Sequence, residues 1–471
     1  MSLHVFNTLS GKKDTFAPLK EGEARIYVCG VTVYDSSHIG HARSLLTFDV
    51  AYRYLVFLGY RVFFVRNFTD VDDKIIQRAR DENSTAEAVA GKYIKEFQDD
   101  SRALGLLPPT HEPKATEHIA EIVALIRRLE EKGAAYRVDG DVYFSVERFP
   151  GYGKLSRKNI DELEAGARVE VDERKKAPMD FALWKASKPG EPVWDSPWGK
   201  GRPGWHIECS AMSTKYLGQP FDIHGGGRDL IFPHHENEIA QSEAAYDLPL
   251  ARMWMHNGFL NINHEKMSKS LGNILSVRDI LARHEPAALR HYMLSSHYRS
   301  PMDFSEQGLE EAEKAIERVI ETIARFEETA PGKSSTPADP ALLDDFRKEM
   351  DDDFNTPRAL ALIFDEVRAL NRLMDEGRAA ELAPRVAALK QAASALGLLQ
   401  EAPAAFLARK KERWLKAKKT ISRKEIEEWI ERRNQARVKK DWSEADRIRA
   451  ELFAKGIVLE DSSGGTIWKV K

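Results

Sequence analysis

Cysteine is scarce in this sequence, because the 471-residue chain contains only Cys29 and Cys209. Two cysteines so far apart build no disulfide framework, which leaves both thiols for other uses. Long hydrophobic runs are also missing, since no apolar stretch approaches the ~20 residues that a membrane helix needs. The N-terminal MSLHVFNTLSGKKD lacks the charged start, apolar core and cleavage site of a secretory signal. We therefore expect a cytoplasmic protein.

Strong charge of one sign is lacking as well, since the formal net charge is only −3 at pH 7. The charge of the whole chain therefore does not indicate a nucleic-acid partner. The tail differs: from Arg409 to Lys440 there are 14 Lys and Arg against 5 Asp and Glu, a local net charge of +9, with Trp414 and Trp429 interleaved. Such a segment either contacts phosphate backbones or forms a solvated helix of mixed charge, and both interpretations stay open here.

A strand–helix–strand pattern lies near the start of the chain. ARIYVCGVTV and RVFFVRNFTDV are rich in β-branched and aromatic residues, and the helix-like ARSLLTFDVAYRYLVFLGY lies between them. Such a βαβ unit predicts an α/β protein with a Rossmann-like, doubly wound parallel sheet. Ligands of these sheets bind beyond the carboxyl ends of the strands, and SSHIGHARS follows the first such end.

Changes in composition divide the rest of the chain. We expect the parallel-sheet domain at 1–132 and 205–306, interrupted at 133–204 by an inserted subdomain rich in Gly, Pro and Trp. Apolar residues at threes and fours predict a helical bundle at 307–407. The last segment, 408–471, reads as a small module of helices that ends in the strand-like GTIWKV.

The segment FPHHENEIA indicates a metal site. If a helix begins after Pro233, His234 and Glu238 project from one face, as two ligands of one ion require. A polar helix start with acidic residues near its N-terminus gives the same pattern. The alternative ligands are His235, Glu236 and Asn237. Two thiolates, one imidazole and one carboxylate would make a tetrahedral zinc set, so we expect the cysteines to join it.

Two further segments favour a bound nucleotide. SSHIGHARS opens a helix, so His38 and His41 lie near backbone N–H groups that attract an anion, and Gly40 lets a ligand approach closely. NHEKMSKSLGN carries Lys266 and Lys269, whose charges suit a pyrophosphate leaving group when a loop closes over it. Alone, the first segment is equally a chance His-x-x-His and the second an exposed loop. Together they favour nucleotide chemistry.

HIGH near the N-terminus, followed by KMSKS more than two hundred residues later, resembles the paired signature of class I aminoacyl-tRNA synthetases. Cys29 before the first motif, GWHIECSAMS around Cys209, and HGGGRDLIFPHHENE resemble the cysteinyl-tRNA synthetases of that class. The resemblance covers nearly the whole chain. It includes MDFALWKASKPGEPVWDSPWGKGRPGWH in the insertion, DDFNTPRAL in the bundle, and RNQARVKKDWSEADRIRAEL with GIVLED in the tail.

The resemblance implies a monomeric enzyme that joins L-cysteine to tRNA(Cys) through cysteinyl-adenylate, with ATP and Mg²⁺ in the first step. It implies that His38 and His41 contact the phosphates, that Gly40 packs near adenine, and that Lys266 and Lys269 steady the triphosphate. It also implies one Zn²⁺ per chain, joined by the substrate thiolate. The matching zinc ligands are Cys29, Cys209, His234 and Glu238. The bundle would support the inner bend of the tRNA, and the tail module would read the anticodon.

Further residues match the family around the amino-acid pocket. They are Thr32, Thr69, Trp205, His224 and Asp229. Asp229 would pair with the substrate ammonium and Trp205 would close one wall, although each side chain would equally suit the scaffold. Likewise Trp429 and Trp442 would stack on anticodon bases or belong to the core. The family's KIIK reads KIIQ here, so Gln77 leaves the pyridoxal-phosphate-dependent persulfide activity linked to that motif without support.

Cysteine and serine differ by a single atom, and an ordinary pocket separates such similar substrates only ~100-fold. Zinc would provide a chemical basis for the selection. A metal ion favours a soft thiolate over a protonated serine hydroxyl. The insertion of about 70 residues is too small for an editing domain, so we expect discrimination at binding. Two alternatives are the cysteine ligase of mycothiol synthesis, against which the tail argues, and a catalytically silent RNA-binding paralogue, against which the intact motifs argue.

Overall fold

The computed structural model describes residues 2–158, 174–262, 265–266, 275–329, 336–418, 421–462 and 465–470. The chain forms two compact units. Unit 1 comprises Met1–Arg318 with Lys333–Leu398, and unit 2 comprises Val319–Gly332 with Leu399–Lys471. The start of the predicted bundle is therefore divided, because one long helix contributes residues to both units.

Strands and helices alternate in the first half of the chain, and helices dominate the second. The strands, numbered in chain order, are β1 (His4–Asn7), β2 (Lys12–Thr15), β3 (Glu23–Thr32), β4 (Arg61–Thr69), β5 (Ala135–Val138), β6 (Asp141–Phe144), β7 (Phe181–Ala186), β8 (Gly201–Pro203), β9 (Phe221–Gly227), β10 (Ala251–Asn257), β11 (Leu260–Ile262), β12 (Glu265–Lys266), β13 (Met302–Phe304), β14 (Ile457–Ser462) and β15 (Gly465–Val470). The α-helices are α1 (Ile39–Phe57), α2 (Asp73–Asp81), α3 (Ala86–Ala103), α4 (Ile119–Glu131), α5 (Trp205–Leu217), α6 (Glu236–Tyr246), α7 (Val277–Leu281), α8 (Pro286–Leu294), α9 (Glu306–Thr329), α10 (Pro340–Met350), α11 (Thr356–Asp375), α12 (Ala379–Ala395), α13 (Pro403–Lys418), α14 (Arg423–Val438) and α15 (Trp442–Ala454).

Four parallel strands form the central sheet of unit 1, in the order β10-β9-β3-β4. Apolar runs in β3 and β4 suit a sheet covered on both faces, and Ile26, Val65 and Ile223 are buried. The crossover from β3 to β4 is α1, which the sequence predicts, and Leu46 packs it into the core. The α/β class with a parallel sheet is confirmed.

The chain between α4 and α5 forms a separate antiparallel sheet, in the order β5-β6-β7-β8. Phe144 and Phe181 stack with ring centroids 5.0 Å apart, and Trp184 is fully buried beside them. The sequence predicts an inserted subdomain in this region, of which residues 159–173 lie outside the described part. Apolar side chains thus give the insertion a core of its own.

Helices dominate the rest of the described chain. In unit 1, α10, α11 and α12 pack together, and each buries an apolar side chain, Phe346, Leu370 and Leu389 respectively. In unit 2, α14 and α15 pack with the antiparallel hairpin of β14 and β15, around Ile448 and Ile457. The predicted strand GTIWKV is β15. Of the described helices, none combines the length and the apolar character needed to cross a membrane.

Candidate active site and metal centre

A cleft of about 660 Å³ opens at the carboxyl ends of the central strands. Thr32, Gly227 and Asn257, which end β3, β9 and β10, all line it. Ligands of open parallel sheets bind at this position. The sequence-predicted residues that line the cleft are Cys29, Thr32, His38, Gly40, His41, Trp205 and Asp229. Residues from distant parts of the sequence therefore share one cavity.

Four candidate metal ligands meet beside this cleft, and their ligand atoms all lie within 4.8 Å of one another. Cys29 Sγ lies 3.4 Å from His234 Nε2 and 3.1 Å from Glu238 Oε1. His234 Nε2 lies 3.0 Å from Glu238 Oε1. Cys209, which is buried on α5, completes the set. Two thiols, one imidazole and one carboxylate at this spacing fit a zinc ion.

The charges of these groups depend on one another. Burial acts to raise the pKa of Glu238, but the charges of His224 and His234 hold that pKa well below its usual range. Burial acts to lower the pKa of His234, but Glu238 raises it to about 10. The charged forms of Glu238 and His234 are therefore favoured before any ion binds.

The pKa values of the two thiols are shifted in opposite directions. Burial, together with Cys209, raises the pKa of Cys29 well above its usual value. Burial acts the same way on Cys209, but a hydrogen bond from Cys29 and the charge of His234 lower its pKa to about 6. One thiolate therefore forms readily while its neighbour keeps a proton. A cation is needed to hold both as thiolates.

Aromatic and imidazole rings surround the cluster. Trp205, which is 37% exposed, stacks on the His234 ring with centroids 4.3 Å apart. It therefore stands between a candidate ligand and solvent. His224, fully buried on β9, places Nε2 2.8 Å from Glu238 Oε2. This contact orients the carboxylate.

Sequence reasoning missed a chain of polar groups behind the cluster. His235 Nδ1 lies 2.8 Å from His256 Nε2, and His256 Nδ1 lies 2.8 Å from Thr8 Oγ1. His235 also belongs, with Cys29, His224 and Glu238, to a second, overlapping group of potential ligands. These residues come from separate segments of the chain. No spacing along the sequence could have brought them together.

The HIGH tetrad forms the start of α1, with His38 as its N-cap. His38 Nδ1 accepts hydrogen bonds from the backbone N–H groups of Gly40 and His41, at 3.1 and 3.3 Å. His41 Nδ1 accepts in turn from the His38 N–H at 3.2 Å. Because both neutral rings use Nδ1 as an acceptor, each carries its proton on Nε2. Burial, the largest cause, lowers the pKa of His41 to about 3.

Three family models match the chain. They describe the catalytic domain of tRNA synthetases class I (C) over residues 15–314, a DALR domain over 345–400 and a cysteinyl-tRNA ligase anticodon binding domain over 423–468. Curated cysteine–tRNA ligases of Geobacter metallireducens and Geobacter sulfurreducens are each 55% identical to it, with 100% of both chains covered.

The chain belongs to the cysteine–tRNA ligase family. Methionyl-tRNA synthetase of Mycobacterium tuberculosis, solved with methionyl-adenylate, shares the fold at a TM-score of 0.60 and 16% identity, covering 80% of this chain and 92% of that one.

The remaining candidate residues of this cysteine–tRNA ligase family member occupy different settings. Thr32 and Thr69 are partners in the β3–β4 register, and Thr69 is buried. The backbone of Lys266 lies in β12, whereas Lys269 falls outside the described residues. Gln77 is exposed on α2, where Nε2 donates to Asp81 Oδ1 at 2.8 Å. The sequence-based roles of these residues stay predictions.

Proposed function

We propose that this chain joins L-cysteine to the 3′ end of tRNA(Cys). The cysteine carboxylate attacks the α-phosphate of ATP, which forms cysteinyl-adenylate and releases pyrophosphate. A hydroxyl of the terminal tRNA adenosine then takes the cysteinyl group, and AMP leaves. The observation that carries the proposal is the cluster of two thiols, an imidazole and a carboxylate beside a cleft whose rim holds the His38–His41 pair.

In this proposal Cys29, Cys209, His234 and Glu238 hold one zinc ion. When bound, zinc favours the thiolate of cysteine over the protonated hydroxyl of serine. His224 fixes the Glu238 carboxylate through its 2.8 Å contact, and Trp205 covers the His234 ring from the cleft side. A water-poor environment at the cluster strengthens this discrimination.

The rim would act on the nucleotide. The Nε2–H groups of His38 and His41 donate to the phosphates, next to the N-terminal end of α1. Gly40, which lines the cleft, leaves space for adenine. Lys266 and Lys269 supply positive charge to the departing pyrophosphate, and Mg²⁺ accompanies ATP. Each group stabilises charge that develops during adenylate formation.

The amino-acid pocket follows from the same cleft. Asp229, in the turn after β9, pairs with the substrate ammonium, and Trp205 forms one wall. Thr32, which lines the cleft, offers its hydroxyl group to the substrate, and the buried Thr69 is its register partner on β4. These roles place the cysteine carboxylate between the metal cluster and the HIGH tetrad.

Unit 2 would bind the anticodon. Trp442 is 58% exposed, whereas Trp429 packs partly into the core of the module. Lys439 and Lys440 lie beside Trp442 in the sequence. An exposed aromatic ring next to cations is a setting for base stacking with phosphate contacts.

We expect the enzyme to act as a cytoplasmic monomer.

The first experiment is metal analysis with cysteine-dependent ATP–pyrophosphate exchange, on the wild type and on Cys209→Ser. We expect one zinc per chain, exchange with cysteine but not serine, and loss of zinc with more than about 100-fold lower exchange in the variant. Lys215→Ala, on the exposed side of the same helix, is the control and should behave as wild type.

Charging of a tRNA(Cys) transcript separates the alternatives. Exchange without charging would favour the mycothiol-type ligase, and no exchange at all would favour the silent RNA-binding paralogue. Selective activation by a zinc-free wild type would remove the metal from the proposal and leave the two signature motifs.

A further inference from the structure

A β-bulge sets the position of Cys29. Strand β3 pairs with β4 through Val28 and Arg66, and then through Val31 and Phe68, so Cys29 and Gly30 together face the single residue Asn67. A bulge re-aims side chains and leaves a backbone group without its ladder partner. Here the Gly30 N–H donates instead to Asn67 Oδ1, at 2.9 Å.

Gly30 allows this bulge to pack tightly. A Cβ at this position would lie 1.6 Å from the Asn67 carbonyl oxygen, so no larger residue fits without moving β4. Asn67 itself is only 1% exposed. The direction of the Cys29 side chain therefore depends on one buried amide.

The same amide reaches the second thiol. The Cys209 thiol donates to Asn67 Oδ1 across 3.6 Å. Because this oxygen also accepts the Gly30 N–H, one buried amide oxygen contacts both the bulge that carries Cys29 and the second thiol.

We propose that Asn67 is a positioning residue for the thiolate pair. Its Oδ1 closes the bulge that carries Cys29 and lies against the Cys209 sulfur. The inference rests on the zinc centre proposed above. Two thiolates and one carboxylate bring three negative charges to the two positive charges of zinc. A neutral amide at position 67 holds the bulge without adding to this excess, whereas a carboxylate in its place would increase it.

The test uses Asn67→Asp and Asn67→Ala in the full chain. The aspartate keeps an acceptor for Gly30 but adds a negative charge beside the thiolates, and the alanine removes the acceptor. We expect each to weaken zinc affinity about 10- to 100-fold, measured by chelator competition, as for other residues that support metal ligands. The thiolate-to-metal absorption of the cobalt(II)-substituted protein should shift in both variants.

Asp222→Ala is the matched control. Asp222 is a buried residue of β9 whose carboxylate accepts a hydrogen bond from the backbone N–H of Arg25 at 2.8 Å. Arg25 lies on β3, as Cys29 does, but near the other end of that strand. This variant should lower Tm, as Asn67→Ala does, and keep zinc affinity within about twofold.

Each contrary outcome overturns a defined part of the inference. Wild-type zinc affinity in both Asn67 variants, or equal zinc loss in Asp222→Ala, would refute the positioning role. Wild-type affinity in Asn67→Asp alone would refute the requirement for a neutral side chain at this position. A wild-type protein that binds no zinc would instead refute the proposed metal centre itself.

Discussion

The cleft of unit 1 and the basic module of unit 2 present charge in opposite ways. Glu238 and His234 are buried, and their ionisation depends on partners about 3 Å away. In unit 2 the side chain of Lys424 is 86% exposed, and Trp442 is 58% exposed. Buried charges act over short distances and sense chemical identity, whereas exposed charges attract over longer distances and are screened by salt. Substrate selection and RNA affinity should therefore respond to different perturbations.

The largest effect should come from His38, where helix capping and chemistry can be separated. His38→Asn keeps an N-cap side chain and loses the Nε2–H donor, so we expect Tm to hold while kcat for pyrophosphate exchange falls about 100- to 1000-fold. His38→Ala should lose the same activity and also about 1 kcal/mol of stability. The KM for cysteine should hardly change in either variant. A kcat within threefold of wild type in His38→Asn would contradict this role.

Salt should distinguish the two regions directly. Between 50 and 200 mM salt we expect the KM for tRNA to rise on the order of 10- to 100-fold, because several phosphate contacts release counterions. The rate of cysteine-dependent exchange should stay within about twofold, since salt screens the buried charges of His234 and Glu238 much less. Parallel measurements of aminoacylation and exchange check this. Equal salt dependence of aminoacylation and exchange would show that RNA binding and cysteine activation do not depend on separate regions.

Trp442 sharpens the same comparison from the RNA side. Trp442→Ala should weaken tRNA binding by about 1–3 kcal/mol through lost stacking, without changing exchange. Phe453→Ala is the control, because Phe453 is an aromatic residue 49% exposed on the same helix. Equal losses in both variants would indicate a general loss of apolar surface in place of base stacking.

The smallest effect concerns a pair within unit 2. A hydrogen bond from Arg433 holds the pKa of Asp461 below its usual range. Because the folded-state pKa is lowered, this pair stabilises the fold above the unfolded pKa of about 3.9, and the contribution is lost as pH falls further. Asp461 is half-exposed, so screening limits the effect to about 1 kcal/mol. The Tm difference between wild type and Asp461→Asn should be constant near pH 7 and shrink below pH 4.

Much of the fold follows from local patterns. The apolar runs of β3 and β4, the crossover helix between them and the helical second half were all predicted, because their periodicity is visible in short windows. The break between α3 and α4 contains Pro108, Pro109 and Pro113, which cannot continue a helix. The division of α9 between two units was not predicted, because a uniform helical pattern carries no signal about which neighbours each turn packs against.

The candidate site divides in a similar way. HIGH and KMSKS were found because each is a short motif, and the two cysteines were found because the chain has no others. The segment FPHHENEIA alone left His235 as an alternative to His234, because two adjacent histidines offer the same ligand atoms, and the resemblance to the family then favoured His234. In the folded chain, His234 Nε2 lies 3.0 Å from Glu238 Oε1, whereas His235 Nδ1 lies 2.8 Å from His256 Nε2.

The sequence by itself determined the family, the parallel sheet and the residue types available to a metal and a nucleotide. These features depend on local propensity and on motifs that need only a few neighbouring residues. Only the tertiary structure decided that a β-bulge carries Cys29, that Asn67 contacts both Gly30 in that bulge and Cys209, and that His224 orients Glu238. Those contacts join residues far apart in the chain, and they exist only once strand register and packing have been fixed.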